Sequence, residues 1–279
     1  MPKFVVLLKQ TFDTEEKIVV TPEGVDERDA KFVINPYDEY ALEEAIRQRE
    51  RHGGEVIAVT CGPERAQEAL RTALAIGADE AIRLDSGGLP DDGSAVAAAL
   101  AAVVRPLAPD LLLAGLFAVD SGAGSVALQL AERLGLPHAS AAVKVELLTA
   151  AELNALPAAG AAARTAAERY ALVERDVEGD AETVSVPLPA LVTAQQGLNE
   201  PRYPSLPNIM KAKRKPLRTV TVQELAADGG PDAGAAPLTV RTRLLPPPPR
   251  AAGKRIPGSP DKQAAALAEL LRTEAKLLL

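Results

Sequence analysis

The sequence predicts an α/β protein built on a doubly wound, mostly parallel sheet with a β-rich edge, followed by a carboxy-terminal arm and helix. Three observations carry that expectation. Short apolar runs alternate with amphipathic segments up to about Gly135, the pattern of βα units laid into a parallel sheet. After Leu136 the helical periodicity gives way to β-rich stretches, as at an antiparallel edge. Beyond Pro201, Pro and Gly break the regular patterns until one last amphipathic segment, so residues 1–200 read as the α/β domain and 201–279 as an extension.

Residues 4–8 form the first expected strand, and 18–20 with 31–34 a small extended excursion. A helix then opens at Asn35-Pro36-Tyr37-Asp38. Asn35 suits the N-cap, Pro36 the first helical position, and Asp38 and Glu39 put negative charge at the positive end of the dipole. The helix runs to about Arg51, where His52-Gly53-Gly54 stops it. Residues 55–60 are the next strand. Gly62-Pro63 starts a helix with Ala66, Leu70, Ala73 and Leu74 as its apolar positions, and Gly77 ends it. The series continues with strand 81–84, helix 92–104, strand 110–114 and helix 125–134, closed by Gly135.

Residues 143–148, 170–177 and 183–186 are the β-rich stretches, and the Ala/Gly stretch 155–163 reads as a loop. In the extension the sequence predicts a short helix at 207–213, a linker at 228–237 and an extended arm at the four prolines 246–249, which exclude helix and central strand. The last helix takes Ser259 as cap and Pro260 at its first position, with Ala264, Leu267, Leu270, Leu271 and Leu278 on or near one face.

With 279 residues, 47% of them hydrophobic, the chain has material for a large core. Its 31 Lys and Arg against 38 Asp and Glu give a net charge of −7, which argues against general nucleic-acid binding. A single cysteine, Cys61, excludes an intrachain disulfide, and two distant histidines, His52 and His138, exclude a Cys/His zinc cluster. The amino-terminal apolar run is too short for a signal peptide, and no stretch reaches the roughly 18 apolar residues of a membrane span. The chain therefore reads as cytoplasmic and without direct membrane insertion.

In a doubly wound sheet, ligands bind beyond the carboxyl ends of the strands near the point where strand order reverses. The segments at those ends are Lys9-Gln10, Thr60-Cys61-Gly62 and Gly115-Leu116-Phe117-Ala118-Val119-Asp120-Ser121-Gly122-Ala123-Gly124-Ser125. The last is small, Gly-rich and leads into a helix. Its free backbone N–H groups suit a phosphate, and a plain tight turn is the equal alternative, since neither GxGxxG nor a Walker pattern is present. Asn35 lies at another strand-to-helix junction. Cys61 has no histidine near it in sequence and reads as a buried thiol. No acid/base or hydrolytic constellation is evident, so neither a catalytic residue nor a metal ligand is expected.

The basic run Lys211-Ala212-Lys213-Arg214-Lys215, with Arg218 beyond it, lacks interleaved aromatics and reads as a solvated helix end. The stretch Gly197-Leu198-Asn199-Glu200-Pro201-Arg202-Tyr203 sets an apolar residue among turn-prone polar ones. Leu198 is either an exposed anchor for a partner's pocket or a side chain folded back on its own core.

Residues Leu198-Asn199-Glu200-Pro201-Arg202-Tyr203-Pro204-Ser205-Leu206-Pro207-Asn208-Ile209-Met210-Lys211-Ala212-Lys213 closely resemble the signature of the electron transfer flavoprotein beta subunit. The resemblance spreads over nearly the whole chain. It takes in Lys9-Gln10 with Asp13-Thr14, Asn35-Pro36-Tyr37-Asp38-Glu39, Ala58-Val59-Thr60-Cys61-Gly62-Pro63, residues 72–79 and 115–132, and the arm ending in Arg250-Ala251-Ala252-Gly253.

The resemblance implies an adenine nucleotide alpha hydrolase-like fold and a heterodimer whose alpha subunit holds most of a shared FAD site, with residues 201–279 docking on that subunit. It implies an electron carrier: the FAD accepts electrons from acyl-CoA-type dehydrogenases and passes them to a quinone-linked oxidoreductase. It also implies a second nucleotide in this subunit, AMP in ordinary members and a second FAD in the electron-bifurcating branch, where NAD(P)H is the donor. By the same resemblance, nucleotide contacts carry onto Leu7, Lys9, Asn35, Pro36, Tyr37, Asp38 and Cys61. They carry further onto Ala118, Asp120, Ser121, Gly122, Ala123, Gly124, Ser125 and Val126. Partner docking carries onto Leu198, Asn199, Glu200, Pro201, Arg202 and Tyr203, where the family inserts a leucine into an apolar pocket of the dehydrogenase.

One departure bears on the second nucleotide. Gly124-Ser125-Val126-Ala127 stands where ordinary members resemble Asn-Gln-Thr-Gly and bifurcating ones Ala-Gln-Val-Gly. Val126 leans to the bifurcating pattern and Pro207-Asn208-Ile209-Met210 to the ordinary one; AMP is the preferred reading and a second FAD the alternative. A rival class is a nucleotide-binding stress or regulatory protein of similar βα architecture, against which the 198–213 signature and the long arm count. A stand-alone adenylate-using enzyme would need phosphate-reactive side chains that the sequence does not offer.

Overall fold

Alternation along the first strand sets the layers. Phe4, Val6 and Leu8 pack into one core and Val5 and Leu7 into another, so both faces of the strand are covered. In the computed structural model, which describes residues 1–21, 24–156, 167–227, 237–246, 248, 250 and 252–277, the elements follow in chain order. They begin with β1 (Lys3–Leu7), β2 (Gln10–Phe12), β3 (Val20–Thr21), β4 (Gly24–Val25), β5 (Phe32–Ile34), α1 (Pro36–His52), β6 (Glu55–Gly62), α2 (Gln67–Ile76), β7 (Glu80–Asp85) and α3 (Gly93–Val104). Then come β8 (Leu111–Gly115), α4 (Ser125–Leu134), β9 (His138–Thr149), α5 (Ala150–Asn154), β10 (Arg169–Val177), β11 (Asp180–Pro187) and β12 (Ala190–Ala194). The last are α6 (Leu206–Ala212), β13 (Leu217–Val220), α7 (Val222–Ala227) and α8 (Pro260–Thr273). The chain divides into two compact units, Met1–Arg243 and Leu244–Leu279, and α8 belongs to the second.

The central sheet has the order β11-β10-β9-β12-β8-β1-β6-β7-β13. Neighbours from β13 across to β9 run parallel, and β10 and β11 add an antiparallel edge. The chain steps from β1 outward to β6 and β7, then returns to place β8 on the other side of β1. Strand order therefore reverses between β1 and β8, and a crevice opens there at the carboxyl ends. Helices α1 and α2 cover one face through Leu42, Ile46, Leu70 and Leu74. Helices α3 and α4 cover the other through Leu100, Val104, Leu130 and Ala131. The small antiparallel pairs β2–β5 and β3–β4 make up the extended excursion.

The expected elements of the βα series are present with shifts of a few residues, and the β-rich region supplies the antiparallel edge. Six of the described elements were not anticipated: β2, β4, α5, β12, β13 and α7. β12 is a short apolar run between Pro189 and Gln195 that inserts parallel between β8 and β9. β13 extends the far edge beside β7, so residues 201–243, read from sequence as part of the extension, lie in the first compact unit. The expected loop at 155–163 and linker at 228–237 fall mostly outside the described residues, as do Pro247, Pro249 and Leu278. Among the described residues no helix is long and apolar enough to cross a membrane.

Candidate functional site

The crevice is built around one buried carboxylate. Asp38, in the first turn of α1, aims back at the strand ends. Its Oδ2 accepts the Lys9 N–H at 2.7 Å and its Oδ1 accepts the Gly115 N–H at 2.9 Å. One side chain thus ties the ends of β1 and β8 to the start of α1. Burial pushes the Asp38 carboxyl up to about 7, against the lowering pull of those backbone donors. So close an approach requires glycine: a Cβ at Gly115 would lie 2.4 Å from Asp38 Oδ1 and 2.6 Å from Tyr37 Cβ.

Asn35 is not the side-chain cap that the sequence predicts. α1 starts at Pro36 as expected, but the Asn35 side chain makes no capping hydrogen bond. Its Nδ2 donates to the Phe117 carbonyl at 2.9 Å, and its Oδ1 accepts the Val119 N–H at 3.1 Å, so it holds the Gly-rich loop over the crevice. A buried amide with backbone partners on both sides is better satisfied there than at a single cap. Tyr37 packs on Phe117 with ring centroids 4.3 Å apart. The loop closes on itself through Gly122 N–H to Ala118 O at 2.8 Å, with Gly122 at φ +66° where a side chain would be strained.

These groups enclose a cavity of about 470 Å³. Leu7, Leu8, Val96, Leu100, Ala114, Val126 and Ala127 give it apolar walls, while Gly93 and Gly124 bring the amino ends of α3 and α4 to it. Two ion pairs sit at its edge: Lys9 Nζ to Asp120 Oδ1 at 2.7 Å and an Arg241 guanidinium nitrogen to Asp91 Oδ2 at 3.0 Å. Cys61 is part of the lining, and its thiol is pushed up to about 12, first by burial and then by the Asp85 charge. It stays protonated.

Of the residues singled out from sequence, Leu7, Lys9, Asn35, Asp38, Cys61, Ala118, Ser121, Ala123, Gly124 and Val126 come together on the cavity wall. Pro36, Tyr37, Asp120, Gly122 and Ser125 are outside that lining. Tyr37 and Gly122 shape the loop, Asp120 holds Lys9, and Ser125 Oγ accepts from Gln129 Nε2. Pro36 faces a second hollow of about 280 Å³ beside Tyr40 and residues 201–204. Sequence reasoning missed Asp91, Asp92, Gly93 and Val96, although the strand-end rule applied to β7 leads directly to them. It missed Arg241 because no local pattern ties that residue to the crevice.

The 198–203 segment is bound to α1. Leu198 is only 9% exposed and joins the core with Ala212, so of the two alternatives it takes the inward one in this structure. Asn199 Nδ2 donates to the Tyr40 carbonyl at 3.0 Å. Arg202 grips Glu43 Oε2 at 2.8 Å and Glu50 Oε1 at 2.6 Å. Left in the open are Tyr203, at 95% exposure, Leu206 and Met210. The basic run is not wholly solvated, as Lys215 Nζ donates to the carbonyls of Leu74 at 3.0 Å and Ala78 at 2.6 Å. A cation there satisfies carbonyl acceptors at and just past the end of α2, which draws Lys215 out of solvent.

Fold and crevice define a doubly wound α/β protein with a pocket at its topological switch point. Among the described residues no cluster of His, Cys, Asp or Glu is placed to hold a metal ion. The sequence matches the electron transfer flavoprotein domain over residues 24–225. It is 45% identical to the electron transfer flavoprotein subunit beta of Bacillus subtilis, over 98% of each chain. It is 37% identical to the subunit of that name from Syntrophomonas wolfei, over 99% of this chain and 98% of that one. The mouse protein of the same name is 35% identical over 92% and 93% of the two chains. The chain belongs to the electron transfer flavoprotein family, as a beta subunit. It is accordingly part of a flavin-associated electron carrier.

Proposed function

We propose that this chain pairs with an alpha subunit that supplies most of the site for a shared FAD, and that the switch-point pocket of this subunit holds AMP. The pocket carries the AMP reading. Its apolar walls suit an adenine ring, and the backbone N–H groups opening α4, with Lys9 at the edge, suit a phosphate. Its volume of about 470 Å³ accommodates a mononucleotide. FAD has more than twice the non-hydrogen atoms and would extend past the edge.

Bound FAD supplies the one- and two-electron chemistry. This chain's residues bind and orient. Asp38 fixes the strand ends, Asn35 fixes the loop, Lys9 offers charge to the phosphate, and Pro36, Tyr37, Asp120, Gly122 and Ser125 support that arrangement from behind the wall. Residues 198–203 are read as the dehydrogenase-docking segment, with Tyr203 as its open apolar group, and residues 201–279 as the region that engages the alpha subunit. Acyl-CoA-type dehydrogenases are the proposed donors, a quinone-linked oxidoreductase the acceptor, and the cytoplasm the location.

A second reading, a bifurcating carrier with a second FAD in this pocket and NAD(P)H as donor, is favoured by Val126 on the pocket wall. Co-purifying the chain with its alpha subunit, denaturing the complex and quantifying released FAD and AMP separates the two. One FAD with one AMP per heterodimer is the expected result. Two FAD without AMP would select the bifurcating reading, and no flavin would sink both.

A further inference from the structure

The pocket edge contains a cation that the strand-end geometry does not supply. Thr239, near the end of the first unit, donates its backbone N–H and its hydroxyl to Asp92 Oδ2 at 3.0 and 2.7 Å. The other oxygen of Asp92 accepts the Ala95 N–H at 2.9 Å as the N-cap of α3. One carboxylate therefore caps the helix and holds the segment around Thr239, and these donors hold it below the usual carboxylate range. Two residues further on, Arg241 reaches the same crevice. It lines the cavity, and its guanidinium meets Asp91 Oδ2 at 3.0 Å.

The two ties differ in kind. Thr239 is anchored on a buried acid, whereas the Arg241 and Asp91 side chains are 59% and 72% exposed. A pair so open to water contributes little to stability. The position of this segment thus rests on Thr239, and the guanidinium is free to change acceptor. Its planar fork matches two oxygens of a phosphate better than it matches a solvated carboxylate.

We propose that Arg241 is a ligand-binding residue of this pocket, which leaves Asp91 to pair with the phosphate of the bound nucleotide and so makes the Thr239–Arg241 segment of the first unit part of the site. The assignment rests on the nucleotide reading above and adds to it a residue from outside the strand ends. It also gives the site a means of preferring a phosphorylated ligand over the bare nucleoside.

The test uses the full-length chain co-purified with its alpha subunit and freed of nucleotide on charcoal, titrated by calorimetry with AMP and with adenosine. Arg241→Ala is expected to weaken AMP binding about tenfold or more and to leave adenosine binding within about twofold of wild type. Arg241→Lys restores part of the AMP affinity, and Asp91→Asn, which frees the guanidinium, binds AMP at least as tightly as wild type. Unchanged AMP binding in Arg241→Ala, or equal loss of AMP and adenosine, overturns the assignment. Wild-type protein that binds neither AMP nor adenosine overturns the nucleotide reading itself, and this assignment with it.

Discussion

The floor of the pocket and its edge use the same chemistry, acids facing N–H donors and cations, and hold it by different means. On the floor, Asp38 and Asn35 are buried, and their partners are backbone groups. At the edge, Lys9 with Asp120 and Arg241 with Asp91 are ion pairs open to water. Leaving a buried partner unmade costs the whole desolvation of that group, whereas an exposed pair trades one hydrated state for another. The floor is therefore set before any ligand arrives, and the edge can exchange partners when one does.

The strongest way to break that contrast is to crowd the floor. Gly115→Ala has no room between Asp38 and Tyr37, and it should lower unfolding free energy by about 3 kcal/mol or more, measured by urea titration. Little or no loss would mean that α1 can move off the strand ends, and the floor would not be fixed at all.

Asp38→Asn is smaller and sharper, since the amide nitrogen must face one of the two N–H donors and leave it unpaired, a loss of about 1–3 kcal/mol. The acid also carries a pH signature. Its folded value of about 7 lies above the ordinary 3.8, so between those values the folded chain keeps a proton that the unfolded chain releases. Its contribution to stability is full below about pH 4, declines as pH rises to about 7, and is flat above. The melting-temperature advantage of wild type over Asp38→Asn should therefore shrink from about pH 5 to about pH 7. An advantage that grows over that range would show that the backbone donors outweigh burial.

The parts of this contrast that were legible in the sequence are those carried by local pattern. Proline at the first turn placed the start of α1, a short apolar run placed β1, and the strand-end rule found Lys9, Cys61 and the Gly-rich loop because a parallel sheet delivers all three to one edge. What escaped depended on contacts between distant segments. A side-chain amide that suits an N-cap also suits two carbonyl and N–H groups of a loop, and nothing near Asn35 says which it meets. β12 reads as four apolar residues and a threonine whose neighbours are not encoded in their own order. Arg241 reaches the crevice beside the contact of Thr239 with Asp92, an encounter between a late segment and a helix cap with no shared motif.

The docking segment extends the comparison to a third place, because Arg202 joins a buried acid to an exposed loop. Glu43 has a side chain only 3% exposed and is held by Arg47 as well as Arg202. Arg202→Ala should cost about 1–3 kcal/mol and slow reduction of the complex by an acyl-CoA-type dehydrogenase, since the segment loses its grip on α1. Tyr203→Ala, at a fully open side chain, should slow the same reduction with stability unchanged. If Leu198→Ala slows it while Tyr203→Ala does not, the segment opens on docking and the buried position of Leu198 is only its resting one.

The smallest effect is expected at the edge. Asp120→Asn removes the acid from Lys9, whose side chain is 44% exposed, and should change unfolding free energy by no more than about 0.5 kcal/mol. The same change frees an ammonium group beside the amino end of α4, so AMP should bind more tightly, and the gain should fade as salt is raised. Stability and affinity then move independently, which is the behaviour of an exchangeable pair. A stability loss comparable to that of Asp38→Asn would instead make Lys9 and Asp120 part of the floor, and the charge available to a phosphate would rest on Arg241 and the helix end alone.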